Sequence, residues 1–256
     1  MRGLLAVLRT ALADALARRG AFWAQIVMMV LNDLVLIAFW LIFFSRVDTV
    51  RGWDGQRVLV LFAVLATGAG LVLGLLSNCR RIPEAIVRGR LDETLTLPVR
   101  PLPHLLVSRV DTINLGDVVV GVSLFALVAH PTPSRVALFV IGTLLGAVVF
   151  ASFLIIAGSL AFFVNRDEPA GLALHAVLLF SSYPVDIFTG PAKLLLYTVV
   201  PAAFVAAVPA RLVEQPSAAG AGLILAVAAG FAVAAWAVFT LGLRRYSSGS
   251  VWTRAA

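Results

Sequence analysis

The sequence predicts an all-α, polytopic membrane protein, and three observations predict it. Apolar runs of bilayer length recur along the chain. Only 13% of the 256 residues are charged and 61% are hydrophobic, whereas a soluble domain carries about a quarter charged residues. The cations sit beside the apolar runs, which is the pattern of membrane topology. A net charge of +7 could suit a nucleic acid, but cations spread this way form no nucleic-acid face. The single cysteine, Cys79, excludes an internal disulfide framework or a cysteine-based metal site, and His104, His130 and His175 share no ligand spacing. Nineteen arginines against one lysine suggest a GC-rich bacterial genome.

Residues 1–20, "MRGLLAVLRTALADALARRG", put Leu4, Leu5, Leu8, Leu12, Ala15 and Leu16 on one side of a helix, with Arg9 and Arg19 at its edges. Such a helix lies in the headgroup plane and leads into the first span; it does not read as a cleavable signal. A membrane helix needs ~20 apolar residues. Residues 21–44, 58–76, 110–129, 136–164 and 221–243 qualify. The stretch 169–212 is also apolar, but Pro184, Pro191, Pro201 and Pro209 punctuate it, with Asp186 and Lys193 inside.

Orientation decides how that stretch runs. With a cytoplasmic N-terminus, one crossing at 169–188 and a re-entrant hairpin at 189–212, fourteen cations fall inside and six outside, as the positive-inside rule asks. Two full crossings would instead expose the "RRYSSGSVWTR" tail outside. The sequence therefore predicts six transmembrane helices, both termini cytoplasmic, and a broken helical hairpin on the outer face before the last span. Proline-broken backbone at that depth must be buried by protein or reached by water.

The polar passage 78–109 then lies in the cytoplasm between spans two and three. Pro83 suits the first turn of a short helix and Glu84 complements its dipole. Glu84 and Arg88, four apart, can pair. Ile82, Ala85, Ile86 and Gly89 offer a small apolar face, and Pro98, Pro101 and Pro103 should hold the return path extended and stiff. The expected result is a short amphipathic helix on a rigid stalk; the plainer alternative is a solvated loop that only fixes topology.

Catalytic motifs are missing. There is no GxxxxGK[ST] phosphate loop, no HExxH, and the only lysine, Lys193, falls on the outer side. Gly158-Ser159 with His175 lacks any hydrolase motif around it and reads as helix packing. Asn32 and Asp33 sit near mid-depth of the first span, where a carboxylate costs ~2.5–3.5 kcal/mol, so they should face protein or water, on a pathway or at a helix interface. Asp111, Asn114 and Asp117 open the third span at helical spacing beside Arg109; an ion-pair and capping network fits them, and a direct coupling role is the alternative. Gly70-x-x-x-Gly74 and Gly142-x-x-x-Gly146 permit close helix approach.

Three stretches carry a family resemblance: "GRLDETLTLPVRPLPHLLVSR", "NLGDVVVG" at the start of the third span, and "YPVDIFTGPAKLLLYTVVPAAFVAAVPARLV" before the last. In order and spacing the chain resembles the ABC-2-type permeases, membrane subunits of bacterial ABC exporters, in the branch with six spans and a separate ATPase. Asn32 and Asp33 are not part of that pattern. The resemblance implies a pathway formed by two protomers, homo- or heterodimeric, in the bacterial inner membrane. It also implies a separate nucleotide-binding ATPase subunit that holds ATP and Mg, so no cofactor is expected in this chain. The passage 78–109 would be the coupling segment, with Ile82, Glu84, Ile86, Arg88, Arg90 and Asp92 meeting the ATPase and Asn165 and Arg166 of "NRDEP" as a smaller second contact. Tyr183, Pro184, Pro201 and Pro209 would belong to an extracellular gate. The alternative is an ATP-independent, proton-coupled carrier or a membrane-embedded assembly protein; a carrier would normally carry more buried charge and an internal repeat. Neither the substrate nor its chemical class follows from the sequence.

Overall fold

The computed structural model describes residues 19–246, together with Val7, Arg9, Thr10 and Ala13. The expected interfacial helix at 1–20 and the tail beyond residue 246 fall largely outside the described residues. All regular structure among the described residues is helical; one isolated bridge pairs Val50 with Trp53.

In chain order, α1 spans Arg19–Phe44 and α2 spans Gly55–Leu75. A 3-10 turn, Ser77–Arg81, leads into α3 (Ile82–Val87), α4 (Leu91–Leu95) and α5 (Pro101–Val107). Then come α6 (Leu115–Val128), α7 (Pro133–Ser159), α8 (Ala161–Val164) and α9 (Glu168–Ser181). The last group is α10 (Gly190–Thr198), a wide π-helical turn at Ala203–Ala207, α11 (Val208–Glu214) and α12 (Ala218–Leu243).

Four helices are long and apolar enough to cross a membrane, and a fifth is present if the pair Gly190–Thr198 and Ala203–Glu214, bent by 68°, counts as one span. The bend falls where Pro201 interrupts the chain, and the π turn precedes Pro209, whose nitrogen cannot donate to the helix ladder. Two expected spans are shorter than their apolar runs. Helix α6 begins at Leu115 because the chain before it is tied down: the Asp111 amide donates to the Gly74 carbonyl at 2.8 Å. Helix α9 stops at Ser181 ahead of Pro184, which biases the residue before it away from helix. At 14 residues each, these helices are about 21 Å long.

Helix α2 is the centre of the bundle, buried along most of its length and packed against α6, α7 and α11. Glycines set those crossings. A Cβ on Gly70 would stand 2.7 Å from the Asn114 carbonyl, and one on Gly121 of α6 would stand 2.6 Å from the Ala63 carbonyl. The second glycine pair, on α7, takes the bent pair: a Cβ on Gly146 would lie 2.6 Å from the Val205 carbonyl and one on Gly142 3.3 Å from Pro209. By contrast α1 and α12 leave wide apolar faces uncovered, including Trp23, Val35, Ile42, Leu225, Val233 and Trp236. Exposed apolar surface of this extent suits lipid.

Candidate functional site

Two ends of the bundle concentrate polar side chains. At one, the passage between α2 and α6 folds back onto the body. Ser77 Oγ donates to the Arg109 carbonyl at 2.9 Å, and Asn78 Nδ2 donates to the Leu105 carbonyl at 2.8 Å and to Ser108 Oγ at 2.7 Å. The return path, expected to be extended, is helical from Pro101 to Val107, because proline is tolerated in a helix's first turn and Arg100 supplies the extended entry.

Helix α3 has the apolar face the sequence suggests, and it is turned inward. Ile82 and Ile86 are buried, and Gly158 of α7 receives the helix: a Cβ there would stand 3.0 Å from Ile82 Cβ and 3.1 Å from Pro83 Cδ. These two isoleucines therefore anchor α3 to α7 and are not free to meet another protein. The opposite edge is ionic. Glu84 pairs with Arg88 at 3.0 Å, as the i, i+4 spacing predicts, and also with Arg90. Asp92 accepts a hydrogen bond from Tyr246, just past α12; burial first, then that hydrogen bond and the Asp92 charge, push the phenol up to about 12. Tyr246 also stacks edge-on against Phe162 of α8 at 6.0 Å. Asn165 and Arg166 are exposed at the turn after α8, where Asn165 takes a left-handed conformation (φ 53°) and closes the helix on the Ala161 carbonyl.

The polar residues within the spans divide. Asp111 pairs with Arg80, not with the adjacent Arg109. Asn114 stands at the N-cap position of α6 without a side-chain capping bond. Asn32 is exposed and hydrogen-bonds Asp33. Asp33 and Asp117 are buried where α1 crosses α6, near enough for their charges to interact. Thr112 Oγ1 donates to Gln25 Oε1 at 2.9 Å in the same seam. One oxygen of Asp33, one of Asp117 and the Asn114 amide nitrogen find no hydrogen-bond partner among the described residues.

The other end holds an ionic cluster that the sequence reasoning missed. Asp186, on a 3-10 turn after α9, accepts from Trp53 Nε1 at 2.9 Å and from Lys193 Nζ at 2.7 Å, and it pairs with Arg211. Trp53 comes from the loop between α1 and α2, where Arg51 (φ 51°) and Gly52 (φ 83°) make a tight turn closed by the Val50–Trp53 bridge. Arg211 lies over the Trp53 ring, 5.3 Å from its centroid. Lys193 is on α10 and Arg211 on α11, so one carboxylate ties both arms of the bent pair to the α1–α2 loop. A cavity of about 160 Å³ adjoins the cluster, lined by Arg51, Arg57, Arg211 and Glu214 among others. Of the expected gate residues, Tyr183 packs edge-on against Trp40 at 5.7 Å, Pro184 opens the turn that carries Asp186, Pro201 marks the bend, and Pro209 sits on Gly142. A signal was available: Asp186, Lys193 and Arg211 are the only charged residues between residues 169 and 213, and isolated opposite charges in an apolar run must find each other.

Long apolar helices with wide uncovered apolar faces, and charged side chains gathered mainly at the two ends of the bundle, define a multi-pass membrane protein. A family model described as ABC-2 family transporter protein matches residues 29–250, and the chain belongs to that family. It is therefore a permease component of an ABC transporter, a family of membrane components that work with an ATPase subunit. No curated protein matches the chain.

Proposed function

We propose that this chain is the permease subunit of an ATP-driven exporter, with six spans and both termini cytoplasmic. Two protomers form the pathway, and each couples to a separate nucleotide-binding subunit. In this reading α6 and α9 are the third and fifth spans, and the pair α10–α11 is a re-entrant hairpin on the outer side. The distribution of cations supports the orientation.

One observation carries the coupling: α3 is seated on α7 through Ile82, Pro83 and Gly158 while its Glu84–Arg88–Arg90 edge stays accessible. A push on that edge reaches a long membrane helix with no flexible joint between them. Coupling requires that the edge meet two nucleotide states of the ATPase with different free energies. The Asp186 cluster would latch the hairpin in the closed position until that push arrives.

The test has two arms. The full chain purified from native membrane should bring an ATPase with it, and Glu84→Arg or Arg88→Glu should leave ATP hydrolysis running while export falls. Purification without an ATPase, or intact coupled export in both variants, would refute the coupling. A cysteine at exposed Arg100 should resist an impermeant maleimide applied outside intact cells; labelling there would reverse the orientation.

A further inference from the structure

Beside the coupling helix lies a pocket of about 270 Å³, bounded by Asn78, Arg81, Arg90, Glu93, Thr94 and Arg109 among others. Three guanidinium groups face one carboxylate. Of the other carboxylates nearby, Glu84 holds Arg88 and Arg90, Asp111 holds Arg80, and Asp92, which does not line the pocket, meets the Tyr246 phenol. Arg81 and Arg109 make no ion pair or side-chain hydrogen bond among the described residues. The pocket therefore carries uncompensated positive charge in a fixed cradle, and its framework is held by the two Asn78 bonds and the Ser77–Arg109 bond.

Its level is fixed by the chain. Ser77 follows the end of α2 by two residues and bonds the Arg109 carbonyl, while Asp111 bonds Gly74 inside α2. Two residues of helix rise only about 3 Å, so the Arg109 backbone lies at the end of α2 and Arg81 closes the 3-10 turn that follows, the level at which a span of α2 would meet the headgroups. Immediately after Thr94, the exposed apolar side chains Leu95, Leu97 and Val99 follow. Basic pockets beside membrane helices suit anionic headgroups, and apolar side chains next to one favour an amphiphile over a soluble anion.

We propose that the pocket bounded by Arg81, Arg90 and Arg109 binds the phosphate-bearing headgroup of an anionic lipid of the inner leaflet. The assignment of leaflet rests on the orientation proposed above; the binding itself does not. A lipid held there touches both the coupling helix and the entry to α6, so lipid charge would tune how firmly the coupling segment is seated.

The experiment is native mass spectrometry of the full chain in a mild non-ionic detergent, with phosphatidylglycerol, phosphatidylcholine or inorganic phosphate added. One phosphatidylglycerol should be retained in preference to phosphatidylcholine. Arg81→Gln and Arg109→Gln should each weaken retention about fivefold, and Arg81→Lys should keep most of it. Glu93→Gln, which removes the acid lining the pocket, should strengthen retention, so the test survives even where an arginine variant folds poorly. Arg100→Gln should change nothing. Equal retention of the two lipids, or wild-type retention in both arginine variants, would overturn the site. Displacement by inorganic phosphate at equal concentration would reassign the pocket to a soluble anion. Loss of co-purifying protein with unchanged lipid retention in the arginine variants would make it a protein contact and overturn the proposal. External labelling of a cysteine at Arg100 would move the lipid to the other leaflet without altering these measurements, so the two failures are distinguishable.

Discussion

Asp186→Asn is the sharpest perturbation of the Asp186 cluster. The substitution keeps the shape and one acceptor for the Trp53 indole, but it removes the charge that holds Lys193 and Arg211. The Asp186 side chain is 17% exposed, whereas Lys193 and Arg211 are 41% and 44% exposed. Solvent screening at that exposure limits each pairing to about 1 kcal/mol. Together they hold the hairpin by roughly 2 kcal/mol, which is about 30-fold in a closed-to-open equilibrium.

The assay is the labelling rate of a cysteine at Ala210, which lines the cavity and is 1% exposed. The native cysteine does not interfere: Cys79 is buried, and burial pushes its thiol up to about 12, so its thiolate is scarce at neutral pH. If labelling waits for the hairpin to open, Asp186→Asn should raise the rate about 30-fold. Adding Lys193→Met to Asp186→Asn should then have little further effect, because its partner is already gone. An unchanged labelling rate in a normally inserted Asp186→Asn protein would refute the latch.

The other expectations are local. Gly146→Ala drives a methyl to 2.6 Å from the Val205 carbonyl and should lower stability by about 1–3 kcal/mol, read as a fall in thermal midpoint in detergent; an unchanged midpoint would mean the hairpin can back away from α7. Tyr246→Phe should remove about 1 kcal/mol of tertiary stability. Because the folded phenol is raised to about 12, the Asp92 contact should persist below the ordinary tyrosine pKa near 10 and be lost as pH climbs through about 12. A tyrosinate titration should show one late-ionising tyrosine that vanishes in Tyr246→Phe, and its survival there would disprove the contact.

How much of this was legible depended on range. The Glu84–Arg88 pair and the apolar side of α3 follow from helical spacing alone, and both are present. The glycine pairs announced close approach without naming the partner: Gly70 and Gly74 take the start of α6, while Gly142 and Gly146 take the hairpin. Spacing is local information, and a partner distant along the chain is not. The same limit hid the direction of α3, whose apolar face was legible but whose burial against Gly158 was not. It hid Asp186 more fully, because Trp53, Lys193 and Arg211 come from three separate elements. At Pro101–Val107 the structure departs from the expected extended path, because prolines in the first turn of a helix favour it.

Helix α7 joins the two ends. Gly158 carries α3, while Gly142 and Gly146 carry Pro209, in the helix that bears Arg211, and Val205 just before it. Sixteen residues of helix separate Gly158 from Gly142, about 24 Å, with no proline between them. A continuous helix without a proline kink is suited to carry a tilt from Ile82 to Pro209. Spatial continuity alone does not establish coupling; non-additivity does. Gly158→Val would wedge α3 away from α7, and if α7 carries the motion it should change the labelling rate of a cysteine at Ala210. Combined with Asp186→Asn, its effect should depart from the sum of the two by more than the ~0.5 kcal/mol tolerated for independent sites. Strict additivity across that distance would mean that α3 and the Asp186 cluster move separately.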